Sequence, residues 1–91
     1  MSTPASTERI DRVARVLLDR WDVLGIRDLD DQPVREYASE AAALVTHFDA
    51  GANEQTLAAA LAEFARDMGQ VPDARRDRAA ARSVLAELRV G

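Results

Sequence analysis

Cysteine and lysine are both missing from the 91 residues. Without cysteine there can be no disulfide, no thiolate nucleophile and none of the usual thiolate-based structural zinc sites. Aromatic residues are scarce, with one Trp, one Tyr and two Phe, so a core must be built from Leu and Val around Trp21, Tyr37, Phe48 and Phe64. No apolar run approaches the roughly 20 residues of a membrane span. Met1–Thr7 lacks the basic region and apolar stretch of a signal peptide, which makes a cytoplasmic protein with no membrane association the expectation. Residues 1–7 are expected to be a flexible tail and residues 8–91 a single helical domain.

What is abundant is alanine and charge. Eighteen alanines favour helix, since Ala loses no side-chain entropy there. The twelve basic residues are all arginine and face sixteen acids, for a formal charge of −4. We read the absence of lysine as base composition before chemistry. A net acidic domain is poorly suited to generic nucleic-acid binding, which rests on neutralising phosphates, and better suited to a basic protein partner. The length allows one domain with a stability of about 5–13 kcal/mol.

Four helices are predicted. The first starts near Ser6 or Thr7 as cap and reaches Leu24, with Gly25 as its stop. At 100° per residue, Ile10, Val13, Ala14, Leu17, Leu18, Trp21 and Leu24 fall in a sector about 140° wide, with Trp21 near its centre. An acidic linker follows, in which Leu29 is expected to point inward. Helix 2 runs from about Pro33 to Asp49 with Val34, Tyr37, Ala38, Ala41, Leu44, Val45 and Phe48 on one face and Glu36, Glu40 and His47 on the other. Asn53 is a cap for helix 3, about Glu54 to Met68, which ends at Gly69. Pro72-Asp73 opens helix 4, which runs to about Arg89 with a thin stripe of Ala74, Ala81, Val84, Leu85 and Leu88 that Asp77 interrupts. Short glycine-marked connections predict mostly antiparallel neighbours. The expected fold class is therefore an all-α compact bundle of four helices. Its predicted core is Ile10, Leu17, Trp21, Leu24, Tyr37, Leu44, Phe48, Leu57, Leu61, Phe64 and Leu85.

The corner Trp21-Asp22-Val23-Leu24-Gly25-Ile26 resembles the W-D-P-[IL]-G-[VI] signature of a family of short bacterial helical proteins of unknown function. Looser likeness continues through Glu36-Tyr37, Asp49-Ala50-Gly51-Ala52-Asn53-Glu54 and Met68-Gly69, so that it spans about residues 12–69. Val23 replaces the signature proline, and Glu40 stands where a second aromatic would often follow. The resemblance implies an all-helical fold and no catalytic residues.

Candidate sites are few. Trp21 is read as a core residue whose indole N–H meets a carbonyl or water, and Asp22 as a carboxylate that bonds backbone N–H groups of the turn. Asp28, Asp30 and Asp31, with Asp19 and Asp22 nearby, have carboxylates but not the spacing of a calcium loop. They are read as solvated acids or, functionally, as a docking patch for a basic partner. Arg75, Arg78, Arg82 and Arg89 lie within about 60° of each other on helix 4, a ridge able to grip phosphates or carboxylates. His47 is the sole histidine and is read as a surface residue. There is no Asp-Ser-Leu attachment site, phosphate loop or metalloprotease motif, and no cofactor or metal is expected.

These readings point to a non-catalytic protein-binding or regulatory module, of an inhibitor or immunity type, with an acidic docking surface. The competing readings are anion or nucleic-acid binding through the helix 4 ridge, and a structural homodimer that completes the packing of a weakly apolar helix 4.

Overall fold

The computed structural model describes residues 5–27 and 36–90. They form four helices in chain order: α1 (Ala5–Arg20), α2 (Ala38–Asp49), α3 (Glu54–Asp67) and α4 (Ala74–Val90). Among the described residues there is no strand, and none of these helices is long and apolar enough to cross a membrane. The predicted all-α bundle is thus what the chain forms.

Contacts between helix ends fix the directions. Arg9 near the start of α1 pairs with Asp49 at the end of α2 at 2.8 Å. Trp21, just past the end of α1, reaches Asp77 near the start of α4, and Arg12, earlier in α1, approaches Glu87 near the end of α4. So α1 runs antiparallel to both α2 and α4. These surface ion pairs orient more than they stabilise, since an exposed pair is worth only about 0–1 kcal/mol.

The helices end where the backbone can turn. Asn53 caps α3 by accepting the Thr56 N–H at 2.9 Å. Asp73 does the same for α4, its Oδ1 taking the N–H groups of Arg75 and Arg76. Gly51 and Gly69 have φ of 94° and 77°. There the chain closes α2 through Ala52 N–H to His47 C=O and α3 through Gln70 N–H to Ala65 C=O. These are paired-carbonyl ends that need a left-handed residue, which only glycine supplies without steric cost.

The core comprises Val13, Ala14, Leu17 and Trp21 from α1 and its end, Tyr37, Ala41, Leu44 and Val45, Leu57, Leu61 and Ala65 from α3, and Ala80, Ala81, Val84, Leu85 and Leu88 from α4. Ile10, Phe48 and Phe64 pack against it half-buried.

Five expectations need correction. First, α1 begins at Ala5, so Ser6 and Thr7 lie inside it rather than capping it, and the expected tail loses its last three residues. Second, α1 stops at Arg20, not Leu24. The chain leaves the helical path there, so Leu24 loses its place on the wheel and is 39% exposed. Third, the α-helical part of helix 2 starts at Ala38, after a 3₁₀ turn at Glu36 and Tyr37. Its predicted start at Pro33, Val34 and the inward Leu29 lie outside the described residues. Fourth, Glu40 is half-buried rather than solvated, with Oε1 buried and without a hydrogen-bond partner among the described residues.

The fifth correction concerns α4. Ala74 is exposed, and Ala80 and Asp77 join the buried face. On the wheel Asp77, Ala80, Ala81, Val84, Leu85 and Leu88 form one continuous sector of about 140°. With Asp77 accommodated, α4 packs along its length against α3 and α1. The weakly apolar helix that motivated a homodimer is therefore well covered within one chain.

Candidate functional site

Two constellations of polar groups stand out, one inside the corner and one on the outer face of α3 and α4.

At the corner, α1 ends with the N–H groups of Trp21 and Asp22 both directed at the Leu17 carbonyl. Trp21 is 1% exposed, with the Tyr37 ring edge-on at 5.5 Å and the Phe64 ring edge-on at 6.5 Å. Its Nε1–H donates to Asp77 Oδ1 at 2.9 Å. The indole partner is therefore a carboxylate from α4, not the carbonyl or water that was expected. An aspartate in a buried sector is tolerable only with such a donor, because an unpaired buried charge is far more costly than a paired one.

Asp22 fixes the turn itself, as its place in the sequence predicts. Its Oδ1 accepts the Ile26 N–H at 2.9 Å and the Tyr37 hydroxyl at 2.8 Å, and its Oδ2 accepts the Arg27 N–H at 2.9 Å. The Tyr37 oxygen in turn accepts the Leu24 N–H at 3.1 Å. One carboxylate and one phenol thus satisfy four donors across the α1 to α2 connection.

The two carboxylates respond oppositely to their surroundings. Burial pushes Asp22 up, but the bonds from Ile26, Tyr37 and Arg27 outweigh it and hold it below the ordinary aspartate value. Burial pushes Asp77 up and the indole N–H only partly offsets this, so its carboxyl stays above the ordinary value. Burial raises Tyr37 as well, against the Leu24 N–H and with the Asp22 carboxylate adding to the rise, which keeps the phenol neutral and donating.

A raised folded-state value means that the Asp77 contribution is fully present below the unfolded value, about 3.9, and is lost as pH rises through the folded one. Asp77→Asn keeps an acceptor for the indole and removes the buried charge. It is expected to be at least as stable as the parent at pH 7 in urea unfolding, with any advantage vanishing in acid. Asp77→Ala leaves the indole N–H unpaired and is expected to cost about 1–3 kcal/mol. Equal destabilisation by both variants at pH 7 would contradict this assignment.

The outer constellation lies between α3 and α4. A groove of about 640 Å³ is walled by Ala58, Ala59 and Ala62 of α3 and by Ala74 and Arg78 of α4, with Asp77 also lining it and Asn53, Glu54 and Gln55 at one end. Helix spacing on the α3 side makes the wall smooth: Ala58 and Ala59 lie four and three residues before Ala62, so their methyl groups flank that of Ala62. The groove shares Ala74 and Arg78 with a second depression of about 440 Å³ lined by Arg75, Ala79 and Arg82.

Arg75, Arg78 and Arg82 are thus brought together and are all exposed. Arg82 reaches Glu54 of α3 at 3.3 Å. Among the described residues Arg75 and Arg78 have no ion-pair partner. Arg89 is exposed on the same side of α4 but lines neither depression.

The other predicted sites fare differently. Asp28, Asp30 and Asp31 lie outside the described residues. His47 is exposed, as read from the sequence, and among the described residues no group of three His, Asp or Glu is placed to hold a metal ion. The alanine wall was missed by sequence reasoning. Its only trace is the run Ala58-Ala59-Ala60 with Ala62, which is equally the composition of any stable helix. Comparison with protein-family models, with curated proteins and with solved structures finds no match for the chain.

Proposed function

We propose that this chain is a non-catalytic, cytoplasmic protein-binding module of regulatory type, which engages its partner through the face between α3 and α4. The observation that carries this reading is the alanine-walled groove continuous with the arginine depression. A face of small apolar side chains bordered by charge is how a helical surface receives another chain, with apolar contact in the centre and polar groups at the rim.

The inhibitor or immunity form of this reading, in which an acidic surface masks a basic partner, rests on Asp28, Asp30 and Asp31. It rests on other residues and needs separate substitutions. We also infer kinship with the family carrying the W-D-P-[IL]-G-[VI] signature. Supporting it, three signature positions have structural duties here: Trp21 is buried, Asp22 braces the turn, and Gly25 has φ of 67°.

The test blocks the groove. In Ala59→Gln/Ala62→Gln both new side chains are good helix formers that project into the groove while the fold is kept. Parent and variant are used side by side to capture proteins from the native cell. A protein retained by the parent and lost from a variant with an unchanged thermal midpoint is the expected result. Retention of the same proteins by both would move the binding surface elsewhere.

A further inference from the structure

Resting on the protein-binding reading, we propose that the α3–α4 groove receives an acidic amphipathic helix, whose carboxylates meet Arg75, Arg78 and Arg82 while its small apolar side chains seat on Ala58, Ala59 and Ala62.

Charge complementarity comes first. In a chain of net charge −4, three exposed arginines line one depression, and two of them have no ion-pair partner among the described residues. The third is held to Glu54 by contacts of 3.3 and 3.4 Å, loose enough for exchange with an incoming carboxylate. Guanidinium groups favour carboxylates because they can bind them bidentately.

Spacing comes second. Arg75, Arg78 and Arg82 stand three and four residues apart, and span about 10 Å along α4. A helix laid along α4 with acids at positions i, i+3 or i+4, and i+7 matches that spacing. The alanine wall allows its backbone to come close, whereas an extended peptide would need an open strand edge, and no strand exists among the described residues.

A polynucleotide fits less well. Three arginines over about 10 Å meet only two or three phosphates, too few for the counterion release that drives polynucleotide binding. Single strands also need exposed aromatic faces for stacking, but Trp21 and Tyr37 are buried and Phe48 and Phe64 are half-buried.

The probe is a synthetic helical peptide of about 20 residues, with Glu at i, i+3 and i+7 beside a stripe of Ala and Leu, which spans about 30 Å. Controls are a peptide of the same composition with scrambled acids and a single-stranded homopolymeric DNA. Binding of the designed peptide is expected to weaken roughly 10-fold or more when salt rises from 50 to 500 mM, on scrambling, and on Arg75→Glu/Arg78→Glu. Ala59→Gln/Ala62→Gln is expected to weaken it as well. The exposed arginine variants should keep the parental thermal midpoint.

No binding at low salt, equal binding of the scrambled peptide, or tighter binding of the DNA would each overturn the proposal. So would sedimentation of the chain alone as a dimer that the same substitutions dissociate, since a second copy would then occupy the groove. If the capture experiment loses a protein on groove blocking while the peptide fails here, the docking face stands and only the acidic helix is wrong.

Discussion

Trp21→Ala is expected to remove about 3–5 kcal/mol of stability and to lower the thermal midpoint by at least about 12 °C. Two losses combine. The indole packs edge-on against Tyr37 and Phe64, and its removal leaves a cavity into which the surroundings relax only in part. It also leaves Asp77 buried with its hydrogen-bond donor gone, and an uncompensated buried carboxylate is among the more costly single defects. Trp21→Phe separates the two by retaining most of the ring volume without the N–H. An intermediate loss is expected, and it should shrink in the Asp77→Asn background, where no buried charge is left unpaired. Differential scanning calorimetry of the four proteins measures the coupling directly.

The second large effect belongs to Asp22. Asp22→Ala takes the acceptor from Ile26 N–H, Arg27 N–H and the Tyr37 hydroxyl together. Hydrogen bonds to a charged group are worth about 1.5–3 kcal/mol each when intact, but water can replace some of these at a half-buried site, so a net loss of about 2–4 kcal/mol is expected. The pH dependence carries a definite sign. Asp22 has a depressed folded-state value, so its contribution is fully present above the unfolded value, about 3.9, and disappears as pH falls through the folded one. Urea unfolding at pH 7 should show the full difference between parent and Asp22→Ala, and the difference should shrink below about pH 4. A difference that stays constant into strong acid would mean that the carboxylate charge plays no part. Asp77 works in the opposite direction, because its raised value makes its ionised form the unfavourable one. The chain therefore holds two aspartates within one corner assembly, one acid-sensitive and one relieved by acid.

The distribution of what could be read from the sequence follows from how local each feature is. Helix identity, the Asn53 cap and the helix ends at Gly51 and Gly69 depend on three to five neighbouring residues, and these match, whereas α1 stops at Arg20, short of Gly25. Asp22 as a turn brace is local too, since two of its donors lie four and five residues away. The Leu24 error has a different source: wheel arithmetic holds only while the helix continues, and the helix ends one turn early at Arg20. Asp77 needed a tertiary fact. Its partner is 56 residues distant, and an acid in an apolar stripe reads as a defect until a buried donor is found for it. The signal was nonetheless present, as an acid at the centre of one stripe and the chain's sole indole at the centre of another. The arginine ridge was legible because it lies on one helix. The groove beside it was not, because its depth depends on how closely α3 approaches α4, which an alanine-rich sequence does not specify on its own.

Each polar group of Trp21, Asp22 and Tyr37 that could have met a partner is engaged within the chain, whereas Arg75 and Arg78 on the α3–α4 face have no ion-pair partner among the described residues. That division can be tested at a single proton, the Trp21 indole N–H, followed by NMR through its exchange with deuterium. Burial against Asp77 requires exchange slowed to the pace of global unfolding, and a resonance that moves on Asp77→Asn while the rest of the spectrum stays in place. Exchange complete within the first spectrum, with a resonance indifferent to Asp77, would put the indole at the surface and make the corner a recognition element after all.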